Sequence, residues 1–266
     1  MNSMTLEIAT ECVEFASEAA VSVDRFEICC DLHQEGWTAS GDLMSQFVDV
    51  VGGRAEVHAL IRPRSPLASG RLDLSDFLAQ GACLDQSMAH IDEAGSRGLQ
   101  GVVIGPCTLD GRIDLSAARA LCLQAGHHAL EVGFHRAFDL LQNRRQALDE
   151  LRALGIRRVL SSGSRGWNIQ ADTITDRVEV LRALSDHANH MDAVRSDPVI
   201  QVVGCGGVRS DNATVFLGAT GHIHASCRRN GRPDASEVSK LREVIKLQQR
   251  SAVEGDSGLG DRESQS

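Results

Sequence analysis

The stretch ALEVGFHRAFDLLQNRRQALDELRALG, residues 129–155, decides the fold of this chain. It opens with a short apolar run, ALEVGFH, that is typical of a buried strand. It then repeats apolar residues at the three- and four-residue spacing of an amphipathic helix. Gly155 follows at the position where glycine commonly ends a helix. The stretch is therefore one strand-and-helix unit.

The same unit recurs along the chain. Alternating strands and helices predict a parallel sheet with right-handed crossovers, and eight repeats predict closure into a single α/β TIM (β/α)8 barrel. An open doubly wound sheet is the alternative, and the lack of a GxGxxG motif after the first strand disfavours its dinucleotide-binding form. The predicted strands are LEIA (6–9), RFEIC (25–29), VHALIR (57–62), GVVIG (101–105), ALEVGFH (129–135), RVLSSG (158–163), VIQVVG (199–204) and HIHAS (222–226).

We expect the barrel to form one domain over residues 1–249. The remaining residues, 250–266, are polar and rich in glycine and serine. Such a composition offers too little apolar surface to offset the entropy of ordering the chain. The sequence therefore predicts a disordered tail.

Charge and composition exclude several classes of partner. The 266 residues include 36 acidic and 27 basic side chains, with a net charge of −9. Nucleic acids and anionic membranes require a cationic stripe, and the arginines here are scattered, so neither is expected as a partner. No basic N-terminal segment precedes an apolar run, and no stretch approaches the roughly 18 apolar residues of a membrane span. We expect a cytoplasmic protein whose eight cysteines are thiols.

Side-chain alternation predicts a polar cluster inside the barrel. Strand residues point alternately to the interior and to the helices, and the helix-facing side should be apolar. This rule turns Glu7, Glu27 and His224 inward. The first, second and eighth strands are neighbours in a closed barrel, so we expect these three side chains to approach one another. A confined cluster of this kind shifts pKa values and is typical of functional sites, with a structural ion-pair network as the alternative.

The C-terminal ends of the strands carry the chemistry in barrel enzymes. His135 stands at such an end and is expected to act as general acid/base, with Asp139 either orienting it or capping the next helix. Glycine lets backbone N–H groups approach an anion, and arginine binds carboxylates and phosphates. The predicted catalytic residues are Glu7, Glu27, His135 and His224. The predicted substrate- or anion-binding residues are Arg62, Arg136, Ser162, Gly163, Gly206, Gly207 and Ser226.

Seven motifs occur in order over most of the chain: RFEICCDLHQEGWTAS (25–40), LIRPR (60–64), TLDGRID (108–114), FHRAFD (134–139), RVLSSG (158–163), GCGGVRSDN (204–212) and HIHAS (222–226). Together they resemble the CutC family of copper homeostasis proteins. The resemblance implies a TIM barrel, a cytoplasmic protein, a homodimer or higher homo-oligomer, and a link to copper tolerance.

Two functions follow from the same barrel mouth. Cu(I) favours thiolate ligands. The resemblance implies copper as cofactor and Cys29 as its ligand, with Ala9 standing where the family often has a cysteine in the first strand. The alternative is a lyase, isomerase or hydrolase acting on a small phosphorylated or anionic substrate. No lysine stands at a predicted strand end, which disfavours Schiff-base chemistry.

Overall fold

Eight parallel strands close into a barrel in sequence order, which confirms the predicted fold. The computed structural model describes residues 4–63, 72–194 and 200–257. Each strand pairs with its neighbours in the chain, and the first also pairs with the eighth. The strands are β1 (Thr5–Thr10), β2 (Arg25–Ile28), β3 (Glu56–Leu60), β4 (Gly101–Ile104), β5 (Glu131–Phe134), β6 (Arg158–Ser161), β7 (Gln201–Gly204) and β8 (His222–Ala225).

The helices surround the barrel and begin at residues suited to that position. Ser40, Asp114 and Asn143 each accept a hydrogen bond from a backbone N–H of the first turn that follows, which satisfies a group the helix leaves unpaired. The helices are α1 (Val13–Ala19), α2 (Gly41–Val51), α3 (Ala82–Ser96), α4 (Leu115–His127), α5 (Arg144–Ala153), α6 (Ile174–Val194), α7 (Ala213–Thr220) and α8 (Ala235–Ser257).

Smaller elements lie in the loops between strands and helices. Within the described ranges, four are short 3-10 helices, at Leu32–Gln34, Leu74–Phe77, Arg136–Leu140 and Ile169–Ala171. The loop after β8 forms a two-stranded hairpin from β9 (Arg228–Arg229) and β10 (Arg232–Pro233). The loops that follow β2, β3, β5, β6 and β8 therefore contain ordered structure at the rim where barrel enzymes carry their sites.

The strands divide their side chains between two environments. Leu6, Ile8, Phe26 and Ile28 are fully buried and belong to the main hydrophobic core between strands and helices. Val103, Leu160, Val203 and Cys205 form a second, small cluster of buried apolar residues. Alternation places this second cluster inside the barrel, where it leaves room for polar side chains on β1, β2 and β8.

Helix α8 continues beyond residue 249, where the sequence predicted the domain to end. The helix extends to Ser257, so residues 250–257 belong to it rather than to a tail. Leu241 and Ile245 are fully buried at a four-residue spacing, which docks this helix on the barrel. Residues 258–266 of the predicted tail lie outside the described residues. None of the helices within the described ranges is long and apolar enough to cross a membrane.

The turn after β6 requires glycine at one position. Gly163 has a positive φ of 74°, and a Cβ there would lie 2.1 Å from the backbone oxygen of Arg177 in α6. The close approach allows the Arg177 side chain to bond three backbone carbonyls, of Ser162, Cys205 and Gly206. Gly163 therefore holds α6 against the ends of β6 and β7.

We expect Gly163→Ala to destabilise the fold. The left-handed conformation alone costs a non-glycine residue about 1 to 3 kcal/mol, and the overlap with Arg177 adds to that loss. Urea unfolding would measure the difference. Gly166→Ala in the same loop is the matched control, because nothing lies within 4 Å of its added Cβ. Equal midpoints for the two variants would contradict this account of the turn.

Candidate functional site

Glu7 lies inside the barrel among three cationic partners, as the side-chain alternation predicted. Its carboxylate accepts a hydrogen bond of 2.8 Å from Arg25 Nη1 and forms an ion pair with Arg158. Its Oε2 atom lies 3.3 Å from His224 Nδ1. Burial raises the pKa of Glu7, but Arg158, the hydrogen bond to His224 and Arg25 outweigh it and hold the pKa well below its usual value. Glu7 is therefore a fixed negative charge.

His224 and Glu27 complete the polar interior. Burial lowers the pKa of His224, but the hydrogen bond to Glu7 and the charges of Glu27 and Glu7 outweigh it and raise that pKa. Glu27 is 8% exposed and has no hydrogen-bond partner among the described residues. Burial, with repulsion from Glu7, raises the pKa of Glu27 to about 7. The pair thus consists of a carboxyl near half-ionisation and an imidazole biased toward its charged form.

A cavity of about 480 Å³ opens above this pair at the C-terminal ends of the strands. Glu27 and His224 line it together with apolar side chains from β3 and β6. Its other lining groups include seven of the residues predicted for this rim and several that were not. The predicted ones are Cys29, Arg62, His135, Arg136, Gly206, Gly207 and, after β8, Ser226.

His135 is held tightly at the rim. Its Nδ1 accepts a hydrogen bond from the N–H of Ala137 at 3.1 Å, so the neutral ring carries its proton on Nε2. Nε2 has no partner among the described residues. Burial, with the nearby charges of Arg62 and Arg136, lowers the pKa of His135 to about 3. The imidazole is neutral near pH 7 and can donate a hydrogen bond to a ligand, but it is a weak base.

Arg62 and Arg136 each lie over an aromatic ring of the rim. The Arg62 guanidinium is 5.3 Å from the ring centre of Phe77, and that of Arg136 is 4.4 Å from Trp167. Arg62 Nη1 also donates to the carbonyl oxygens of Glu35 and Gly36, the shorter bond being 3.0 Å. These contacts fix two positive charges beside His135.

Another part of the rim is formed by the loops after β7 and β8. Gly206 and Gly207 both have a positive φ, of 77° and 78°. Gly206, Gly207, Val208 and Ser226 line the cavity, and their backbone N–H groups meet no acceptor in the described part of the chain. Unpaired N–H groups of this kind are suited to binding an anion. Arg209 and Arg228 add two positive charges to the same wall.

Ser162 and Gly163 do not line the cavity. The Ser162 hydroxyl donates to Asp139 at 2.6 Å and lies 2.6 Å from the hydroxyl of Ser164. Asp139 also accepts the hydroxyl of Ser161 and a bond from Arg136. Asp139 therefore neither orients His135 nor caps the next helix, but joins the ends of β5 and β6. Ser162 and Gly163, which were predicted to bind an anion, stabilise the turn after β6 instead.

The thiols of the rim fit a resident Cu(I) poorly. Only Cys29 and Cys205 line the cavity, and burial raises the pKa of both thiols far above the usual value. Burial also raises the pKa of Cys107 and Cys227 to about 12. Cu(I) binds thiolates, which these surroundings disfavour. Within the described ranges, no group of three or more His, Cys, Asp or Glu is arranged to hold a metal ion.

Several residues of the cavity escaped the sequence analysis. Arg209, Arg228, Phe77 and Trp167 lie in loops, where no periodic pattern indicates which way a side chain points. The sequence did contain two indications that Arg209 and Arg228 belong to the cavity. Arg209 comes soon after the glycines that follow β7, and Arg228 comes two residues after Ser226. The chain has only two lysines, and both lie in α8, so no lysine lines the cavity.

Comparison with known proteins gives a consistent result. Residues 4–229 match the model of the CutC family. A CutC family protein of Sinorhizobium medicae (strain WSM419) is 34% identical over 234 residues, which cover 85% of this chain and 82% of that protein. A second, from Chromobacterium violaceum, is 35% identical over 209 residues, covering 77% of this chain and 72% of the relative.

Solved structures resemble this chain in fold. A putative copper homeostasis protein CutC from Streptococcus agalactiae superposes with a TM-score of 0.70 at 23% identity, covering 84% of this chain and 98% of that one. Thiamine phosphate pyrophosphorylase from Pyrococcus furiosus gives a TM-score of 0.57 at 16% identity, covering 92% and 96%. At such identities the likeness concerns the barrel alone.

We expect Glu27→Gln to stabilise the protein in a pH-dependent way. The unfolded carboxyl ionises above its ordinary pKa of 4.5, whereas the folded one keeps its proton up to about pH 7. Wild-type stability therefore falls relative to the variant as pH rises between these values. The variant should match wild type near pH 4 and exceed it at pH 8 by on the order of 3 kcal/mol.

Chemical denaturation at both pH values measures this difference. Glu18→Gln, an exposed change on α1, is the control and should leave stability unaltered at either pH. A Glu27→Gln variant that gains nothing at pH 8 would show that the Glu27 carboxyl titrates like an exposed one.

Proposed function

This chain belongs to the CutC family, and from that premise we propose that its barrel mouth binds a small anionic molecule and moves a proton at a carbon held above Glu27, as isomerases and lyases do. The observation that carries the proposal is Glu27 itself. It is a buried carboxyl without a hydrogen-bond partner in the described part of the chain, and it lines the cavity. A structural carboxylate would be paired, because burying an unpaired charge is costly.

The charges of the rim support an anionic ligand. Arg62, Arg136, Arg209 and Arg228 all line the cavity, whereas its acidic lining residues are Glu27 and the exposed Glu35. Arg209 bonds the carbonyl oxygens of Val208 and Arg228 and meets no carboxylate among the described residues. Arg136 pairs with Asp139 and Arg228 with Glu11, whereas a ligand carboxylate or phosphate would neutralise Arg209 and accept hydrogen bonds from the unpaired N–H groups of the rim.

The acid-base properties of the interior support proton transfer. A general base works best with a pKa near the working pH, and the Glu27 pKa of about 7 meets that condition. In this proposal Glu27 takes a proton from a carbon next to a carbonyl group, and the bonding electrons move onto the carbonyl oxygen. His224 is biased toward its charged form and can donate a hydrogen bond to that oxygen. Return of the proton to a neighbouring atom completes an isomerisation.

His135 takes a different part in this proposal from the one predicted. The sequence predicted that His135 acts as a general acid/base. With a pKa of about 3 and Nδ1 occupied by a backbone N–H, the ring is better suited to hold a ligand oxygen through Nε2–H. Gly105 leaves the space that the ring fills, since a Cβ there would lie 1.8 Å from the His135 Cε1 atom. We therefore assign His135 to binding of the anionic ligand, and Glu27 with His224 to the proton transfer.

Hydrogen exchange tests the proposed chemistry. Wild-type protein should exchange a carbon-bound hydrogen for deuterium in at least one member of a panel of phosphorylated aldehydes, ketones and 2-oxo acids, followed by NMR in D₂O. The rate should rise with pH through about 7, because ionised Glu27 is the base. Glu27→Gln should lower the rate by at least about 100-fold while leaving ligand affinity similar.

The control is Glu179→Gln, an exposed change on α6 that should leave the exchange rate at the wild-type value. Two results would remove the proposal: an exchange rate in Glu27→Gln equal to that of wild type, or no exchange with any anionic carbonyl compound.

Copper binding is the second candidate function. The solved relative from Streptococcus agalactiae is described as a putative copper homeostasis protein. The favouring observation in this chain is that Cys29 and Cys205 line one cavity. Both thiols would have to lose a proton in surroundings that oppose it, which ranks this candidate below the first.

Substitution of Cys29 tests the copper candidate. Cys29→Ser should weaken Cu(I) binding at least about tenfold in an anaerobic competition titration, since it removes a soft ligand from the cavity. Cys122→Ser is the control, because Cys122 lies in α4 away from the cavity. Identical titration curves for the two variants would eliminate Cys29 as a copper ligand.

Two expectations complete the proposal. A cytoplasmic location is supported by eight cysteines that are all free thiols. A homodimer or higher homo-oligomer is proposed from the family resemblance, and sedimentation would test it.

A further inference from the structure

The cavity is lined by two groups of cationic residues from different loops, and we call each group a wall. The first, which we call the arginine–histidine wall, consists of Arg62 after β3 with His135 and Arg136 after β5. The second, the glycine wall, consists of Gly206, Gly207, Val208 and Arg209 after β7 with Ser226 and Arg228 after β8. In a closed ring of eight strands in sequence order, β3 and β7 are four strands apart, so Arg62 lies across the ring from the loop after β7. His135 and Arg136 follow β5, which is two strands from β7.

Each wall is equipped to bind an anion by itself. The arginine–histidine wall offers the Nε2–H of a neutral imidazole and two guanidinium groups that lie over aromatic rings, of which that of Arg136 also pairs with Asp139. The glycine wall offers four backbone N–H groups that lack an acceptor in the described part of the chain, and the guanidinium of Arg209.

The pair expected to do chemistry belongs to neither wall. Glu27 is on β2 and His224 on β8, and their side chains line the cavity deeper in the barrel, where Ala9 pairs with Glu27 in register. Leu60 and Leu160 line the same space and are mostly buried. The apolar lining leaves the middle of the cavity without further cations. A ligand that spans the two walls would hold its central atoms over Glu27.

From this arrangement we propose that the substrate carries two anionic groups, one bound by each wall, with the reacting carbon between them. This inference deepens the proposed function and rests on it for the role of Glu27. The glycine wall suits a phosphate, because several N–H groups converge on a tetrahedral anion with many acceptors. The arginine–histidine wall suits either a phosphate or a carboxylate. The substrate class is therefore a bisphosphate or a phosphorylated carboxylic acid with a short carbon chain.

Calorimetry with simple probes tests the two-anion arrangement. Inorganic phosphate should bind at two sites per chain, whereas an α,ω-bisphosphonate of matching length should bind at one. Joining the anions makes the second contact intramolecular, so the bisphosphonate should bind at least about 100-fold more tightly than phosphate. Affinity should peak at one spacer length. A phosphonocarboxylate of that length identifies the class: tight binding indicates a carboxylate, and weak binding a second phosphate.

Variants assign each anion to its wall. Arg62→Met should remove one phosphate site and bring the bisphosphonate close to the affinity of phosphate, and Arg209→Met should remove the other site. His135→Gln is a second variant of the first wall in case Arg62→Met does not fold. Arg119→Met, an exposed change on α4, is the matched control and should bind both probes as wild type does.

The outcomes separate this inference from the proposed function. A single phosphate site, with bisphosphonates of every length binding no more tightly than phosphate, would overturn the two-anion arrangement and leave an anionic substrate in place. A bisphosphonate affinity that Arg62→Met and His135→Gln both leave unchanged would also overturn it. Absence of binding by either probe would overturn both, and the hydrogen-exchange assay reports on Glu27 independently of these probes.

Discussion

The carboxylate of Glu7 lies between two guanidinium groups in the interior of the barrel, and the polar interior depends on this contact. Arg25 and Arg158 reach it from β2 and β6, strands on opposite sides of β1, so that one side chain links distant parts of the ring. A buried charge of this kind is tolerated only because it is paired, and removal of one partner typically costs about 3 to 5 kcal/mol. The barrel interior is consequently filled by charged side chains around Glu7, and the cavity lies beyond them toward the C-terminal ends of the strands.

The same carboxylate controls the electrostatics of the cavity. The hydrogen bond and the charge of Glu7 raise the pKa of His224. The same negative charge adds to burial in raising the pKa of Glu27. Groups with displaced pKa values in a confined cavity are typical of functional sites. The expected alternative, a structural ion-pair network, describes Glu7 well. It does not describe Glu27 equally well, because that carboxyl has no hydrogen-bond partner among the described residues and burial keeps its pKa raised.

The shape of the rim depends on buried side chains that do not line the cavity themselves. Arg177, which does not line the cavity, bonds the carbonyl oxygens of Ser162, Cys205 and Gly206 and so fixes the glycine turn after β7. Asp139 likewise joins the ends of β5 and β6 by accepting hydrogen bonds from the hydroxyl groups of Ser161 and Ser162. The serines of the RVLSSG motif are engaged in this support. A motif shared with a family can therefore maintain the shape of a site without touching its ligand.

The sequence by itself determined the barrel, its strand positions and the inward direction of Glu7, Glu27 and His224, because strand alternation and the repeat of the unit are local properties of the chain. It also placed His135 and the glycines at the correct rim. Only the tertiary structure decided what each group can do. The neutral state of His135, the partnerless carboxyl of Glu27 and the burial of the thiols follow from neighbours distant in sequence, since pKa values depend on burial and surrounding charge. The position of Arg62 across the ring from the glycines after β7 likewise exists only once β8 closes on β1, because no local pattern records which loops face each other across a ring.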